Sequence, residues 1–312
     1  MESFLVAVNA VIPFFCYLAL GYTMKIRGVV SEEFLQKLNQ MVFRVFYPFM
    51  TFYNIYKADA ESLPRPLLLI FTGASILIVE AILIVIVPKI VKENPRRGVI
   101  IQAIFRSNFV LFGLPLTIAV FGDSAASIAA MVTVVVSIYN TTSVFILEMF
   151  NGEGKSDIKK TLKAVVTNPL LQGAVVGLIF FFLGIKLPGS LVTPIAAFSN
   201  MTSPLAIYVL GGTLQFRAIR KNLKYLVPTL TCKLFFLPAI IIAIAYAFGL
   251  RGLELFLLIA VYATPVAAAS YPMAQNMGGD GELAGQFVVI STAVSMFTLF
   301  LWIFFMKSVG LI

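Results

Sequence analysis

The chain predicts an all-α membrane protein of ten transmembrane helices in two inverted five-helix repeats, with helices 4 and 9 broken and meeting at the midplane. Three observations carry that reading. Hydrophobic residues make up 60% of the 312 positions and charged residues 12%, against roughly 45–50% and about 25% in soluble domains. Apolar runs of about 20 residues recur from end to end, the length a helix needs to cross a bilayer. Proline positions also repeat. Leu114-Pro115-Leu116, followed by Gly122-Asp123, returns 157 positions later as Tyr271-Pro272-Met273 followed by Gly279-Asp280, and Pro204 answers Pro48. Each half holds five spans, and an odd number makes the second half enter from the opposite side, as in many secondary transporters.

The spans fall at roughly 4–25, 34–56, 66–88, 98–121, 124–149, 168–185, 190–215, 223–248, 253–276 and 283–307. The amino terminus lacks the basic region of a signal peptide, so the first span is expected to be retained. Ser31-Glu32-Glu33 opens span two as an N-cap with acids in the first turn. Thr51 follows Pro48 in that span, where its hydroxyl can meet a ligand or its own i−4 carbonyl. Span three carries Glu80 near its middle, and span eight carries Lys233 at similar depth. A lone charge there costs about 2.5–3.5 kcal/mol on insertion scales, so the two are expected to pair, as a fixed structural bridge or as a switch.

In span four, Pro115 removes a backbone donor and crowds the preceding turn, so the helix is expected to break or kink there. The freed backbone groups must then face protein or a wet cavity. The exposed helix N-termini suit an anion. Asn108 lies about two turns earlier and can bind a carboxylate or knit helices together. Arg106 is expected on a different face, snorkelling to the inner surface or drawing anions inward. Span five contributes Tyr139 and Asn140 as polar tips. In span nine, Tyr271 and Pro272 mirror the first motif, and Pro265 adds a second break point.

The short polar run 151–156 joins the halves, 1–156 and 157–312, and the charged stretch 157–163 is expected along the inner surface. Asn168-Pro169 opens span six, in which Gly173 and Gly177 allow a close helix approach. With both termini outside, inner loops hold fifteen Lys and Arg and outer loops five, which favours that orientation. The net charge of +9 then reflects attraction to anionic lipid on the cytoplasmic side rather than to nucleic acid. Cys16 and Cys232 fall inside spans and read as packing residues. The absence of histidine removes His metal sites and His-based catalysis, and no intramembrane aspartate pair exists. Neither cofactor, metal nor enzymatic activity is expected.

Asn108 to Pro115, Pro204 to Leu214, the Ala-Ala-Ala-Ser-Tyr run at 267–271, the segment 279–284 and Ser291-Thr292 together resemble the auxin efflux carrier family. That family includes plant PIN-FORMED carriers and bacterial permeases. The resemblance runs from the first span to the last. It implies a scaffold of helices 1, 2, 6 and 7, often dimeric, and a mobile unit of helices 3–5 and 8–10. It also implies that helices 4 and 9 cross at Pro115 and Pro272, that Thr51, Asn108 and a polar residue of helix 5 line the pocket, and that Glu80 and Lys233 support it. The implied substrate is a small organic anion, either an auxin-like monocarboxylate or a malate-type dicarboxylate. The short join and Leu116 in place of an asparagine favour the bacterial permease type, in the cytoplasmic membrane. The expectation is an elevator-like carrier, with an anion channel or membrane sensor as the alternative.

Overall fold

A computed structural model of the chain describes residues 2–57, 65–122, 138–151, 166–214 and 219–312, together with Ala125, Ile128 and Val132. The join between the halves, the charged stretch 157–163 and Asp123 lie outside the described residues. In chain order the α-helices are α1 (Glu2–Ile26), α2 (Glu32–Met41), α3 (Tyr47–Tyr56), α4 (Pro66–Ile90), α5 (Asn94–Phe105), α6 (Leu114–Phe121) and α7 (Ile138–Met149). They continue as α8 (Pro169–Phe182), α9 (Gly189–Thr213), α10 (Ile219–Thr231), α11 (Leu237–Ala247), α12 (Leu253–Tyr262), α13 (Ser270–Asn276) and α14 (Gly281–Ser308). No strand occurs among the described residues.

Local chemistry explains many of the ends. Ser31 Oγ accepts from the Phe34 amide at 3.1 Å and caps α2, and Glu32 and Glu33 sit at its positive end. Asn168 Oδ1 accepts from the Leu170 amide at 3.0 Å and caps α8, with Pro169 in the first turn. Three five-residue stretches widen into π-helical turns: Val42–Phe46, Phe109–Gly113 and Cys232–Phe236. A proline follows each by two positions, at Pro48, Pro115 and Pro238. Each proline lacks an amide and its ring crowds the carbonyl four residues back, so the turn before it opens. The carbonyl released by Pro238, that of Leu234, accepts from Trp302 Nε1 at 2.8 Å.

Among the described residues, three helices are long and apolar enough to cross a membrane: α4, the continuous Ile219–Ala247 rod of α10 and α11, and α14. Shorter apolar helices run at Ile12–Ile26, Phe109–Phe121, Pro169–Phe182 and Leu253–Tyr262. Exposed Ile70, Ile78, Ile82 and Ile90 along α4 suit a surface bathed in lipid tails. By contrast, every residue of α12 from Leu255 to Tyr262 is buried, as is α5 from Gly98 to Phe105. Helices apolar all round and fully covered belong at the centre of the molecule.

α1 packs on α9, and α3 packs on α8 and α9. Gly173 makes the α3–α8 contact possible, since a Cβ there would collide with the Pro48 carbonyl and Thr51 Oγ1. Gly211 does the same for α1 and α9, where a Cβ would strike the Leu18 carbonyl. Element boundaries recur at the sequence offset. Displaced by 157 positions, α5 falls on 251–262, where α12 runs, and the stretch from α2 to α3 falls on 189–213, where α9 runs.

Candidate functional site

Two helices are interrupted, and their interruptions touch. α5 ends at Phe105, and residues 106–108 are non-helical before the turn that leads into α6. α12 ends at Tyr262, and residues 263–269 carry the chain to α13. Ser107 and Val266 form an antiparallel bridge, and the Asn108 amide donates to the Pro265 carbonyl at 2.8 Å. The Val266 amide donates to Ser291 Oγ of α14 at 3.0 Å. The backbone freed by each gap is thus bonded within protein, as a buried break requires.

The position of the first break corrects the expectation that Pro115 makes it. Pro115 lies inside the continuous Phe109–Phe121 helix, and its effect is the π turn before it. Pro272 lies in the first turn of α13. Pro265 does lie inside the second break.

A small cavity of about 70 Å³ sits against both breaks, lined by Arg106, Ser107, Asn108, Tyr139, Asn140 and Ala267–Ala269 among others. The opening turn of Phe109–Gly113 faces it through Phe109, Val110 and Leu111. No side chain caps that turn, so its first amides have no side-chain acceptor at the cap position. The cavity shares Met50, Asn54, Val110, Leu111 and Ser203 with a second one of about 390 Å³, which extends past Pro115 to Lys57.

Arg106 is 2% exposed and does not snorkel to a surface. Because the helix has ended, Arg106 and Asn108 line the same cavity rather than opposite faces. The guanidinium donates to Asn140 Oδ1 at 2.7 Å and reaches Met273 Sδ at 2.7 Å. Both acceptors are neutral, and none of the ion pairs among the described residues includes Arg106. Asn108 Nδ2 is also buried without a partner. The cavity therefore presents positive charge and unsatisfied donors together.

Tyr139 lines the cavity, and its hydroxyl donates to the Val261 carbonyl at 3.3 Å. Thr51 lines it too, yet its one hydroxyl proton is shared among the carbonyls of Tyr47, Pro48 and Leu170, at 3.0, 3.1 and 3.2 Å. Thr51 thereby stitches α3 to α8. Tyr271 and Pro272 lie away from the cavity. The Tyr271 hydroxyl pairs with Thr213 Oγ1 at 2.7 Å beside a separate polar cleft that also holds Glu32 and Gln275.

Glu80 and Lys233 form no ion pair, which corrects the expected bridge. Glu80 accepts from Thr142 of α7, and Lys233 donates to Ser107 in the first break. Both are buried, at 4% and 0% exposure. They face different neighbours, so matching depth along two helices did not bring them together. Ser107, sitting between two residues already singled out, is the contact that sequence reasoning missed, along with the small side chains of Ala267–Ala269 that leave the cavity open.

Interrupted helices meeting inside an apolar helical protein are a feature of many membrane transport proteins. A family model described as "Membrane transport protein" matches residues 6–303, and the chain belongs to that family, the auxin efflux carriers its motifs resemble. The chain is 24% identical over 304 residues to an uncharacterized transporter of Methanothermobacter thermautotrophicus, covering 96% of this chain and 98% of that protein. It is 23% identical over 293 residues to an uncharacterized transporter of Methanocaldococcus jannaschii, covering 91% and 93%.

Proposed function

We propose that the protein is a secondary carrier for small organic anions, acting by elevator-like alternating access in the cytoplasmic membrane with both termini outside. The observation that carries this reading is Arg106, a buried cation with neutral protein partners, facing a cavity at the junction of two broken helices. Leaving a cation unpaired in a low-dielectric site is unfavourable, and a carboxylate arriving there removes the penalty. The cavity of about 70 Å³ suits a carboxylate group, and the adjoining one of about 390 Å³ suits the rest of a small metabolite. The latter is lined by both apolar and polar side chains, including Phe14, Ile207, Asn54 and Asn200.

In this reading ten spans form two inverted repeats. Helices 1, 2, 6 and 7 are a dimeric scaffold, and helices 3–5 and 8–10 carry the site across. The recurrence of element boundaries at one offset and the bridge between the two breaks support that division. The substrate is a monocarboxylate or a malate-type dicarboxylate.

Counterflow in proteoliposomes tests the proposal. Vesicles preloaded with unlabelled malate or a monocarboxylate should transiently accumulate the labelled anion, and R106Q should abolish that accumulation. Flux that neither saturates nor shows counterflow would mean a channel, and transport by R106Q equal to wild type would remove the anion site from Arg106.

A further inference from the structure

A larger cavity lies away from the breaks. A groove of about 710 Å³ runs between α4 and the α10–α11 rod, lined from Leu67 and Phe248 at one end to Ile90, Val91 and Lys224 at the other. Leu67 to Ile90 spans roughly 35 Å at the rise of an α-helix, slightly more than the hydrocarbon thickness of about 30 Å. Its walls are almost wholly apolar: Ile78, Ile82 and Ile86 from α4 face Phe236, Ile240 and Ile244 from the rod. Glu80 and Lys233 are not among the lining residues, because both turn away, toward α7 and toward the first break. The gap therefore separates the two helices that carry these buried charges.

The two ends differ in charge. The Leu67 end is closed by Phe71 and Phe248, whose rings pair at 5.9 Å. The other end carries Lys224, whose Nζ lies 4.9 Å from the Tyr225 ring, and Lys89 and Lys92 flank the lining residues Ile90 and Val91. None of these three lysines takes part in an ion pair among the described residues. Lys224 lies in α10 and belongs to the basic cluster that the charge count puts on the cytoplasmic side.

We propose that this groove is a binding site for an anionic phospholipid of the inner leaflet, with an acyl chain between α4 and the α10–α11 rod and the phosphate on Lys224, Lys89 and Lys92. The long apolar trough takes a hydrocarbon chain, and the unpaired lysines at one end select a negative headgroup. The site is separate from the cavity at the breaks and stands or falls independently of the transported substrate.

Quenching by brominated lipids tests it. Phe236 lines the groove and is 62% exposed, so F236W adds a reporter there to the chain's lone Trp302. The added fluorescence in F236W should be quenched saturably by dibromo-phosphatidylglycerol at a concentration about tenfold below that needed with dibromo-phosphatidylcholine. Adding K224E and K89E should erase the tenfold preference while leaving quenching by the zwitterionic lipid. If that variant does not fold, raising salt to 1 M should narrow the preference in F236W alone. Equal quenching by the two lipids at low salt would overturn the anionic site. Failure of both lipids to quench the added tryptophan would overturn the groove as a lipid site altogether.

Discussion

The two breaks share a backbone design and differ in chemistry. In the first, residues 106–108 are Arg-Ser-Asn, with a guanidinium and an amide turned to the cavity. In the second, residues 263–269 are Ala-Thr-Pro-Val-Ala-Ala-Ala. That stretch contributes small side chains, the Pro265 carbonyl and the Val266 amide. One break carries the charge, and the other supplies space and a backbone partner. A repeated backbone therefore does not imply a repeated site. Of the two breaks, the first carries the charged and amide side chains that line the cavity.

The largest effect should come from removing the charge on the first break. Losing one partner of a buried charge contact costs about 2–5 kcal/mol, so R106Q should lower anion affinity roughly 30-fold or more. R106K should recover part of it, because an ammonium keeps the charge and loses the planar fork. Binding isotherms of malate-class anions on the two variants separate charge from geometry. N108L should weaken binding by about tenfold, in line with the loss of a hydrogen bond to a charged ligand, with the same isotherm as its readout.

The next test concerns the backbone of the second break. S291A strands the buried Val266 amide, at an expected cost of about 1–3 kcal/mol, seen as a lower Tm with the affinity of the folded protein little changed. A loss of affinity at unchanged Tm would mean that Ser291 serves the ligand rather than the break. The smallest effect is expected from P115A combined with P272A. Neither proline lies in the gaps at 106–108 and 263–269, so uptake should stay within about threefold of wild type. Abolished uptake would show that the breaks depend on the prolines after all.

Much of the local structure was legible. The Ser31 and Asn168 helix starts and the close approach at Gly173 all follow from short-range rules. The prolines told the truth about backbone geometry but not about where the chain leaves the helix. Pro48, Pro115 and Pro238 open π turns, while the gap at 106–108 is held by Pro265 and bridged to Val266 from the other half. The pairing of Glu80 with Lys233 looked compelling by depth alone. It failed because depth fixes one coordinate, and the direction of each side chain around its helix depends on which neighbour packs there.

Sequence by itself determined the class of environment, the helical content, the repeat offset and the residues able to carry charge inside the apolar part. Those properties depend on composition and on contacts within a few positions, which the order of residues encodes directly. Tertiary structure alone decided that Arg106 lies beside Asn108 in one cavity, that Thr51 lines that cavity while bonding to α8, and that Lys233 reaches Ser107. Each of those depends on groups far apart in the chain meeting across a packed interior, where each buried polar group takes the partner its neighbours bring within reach.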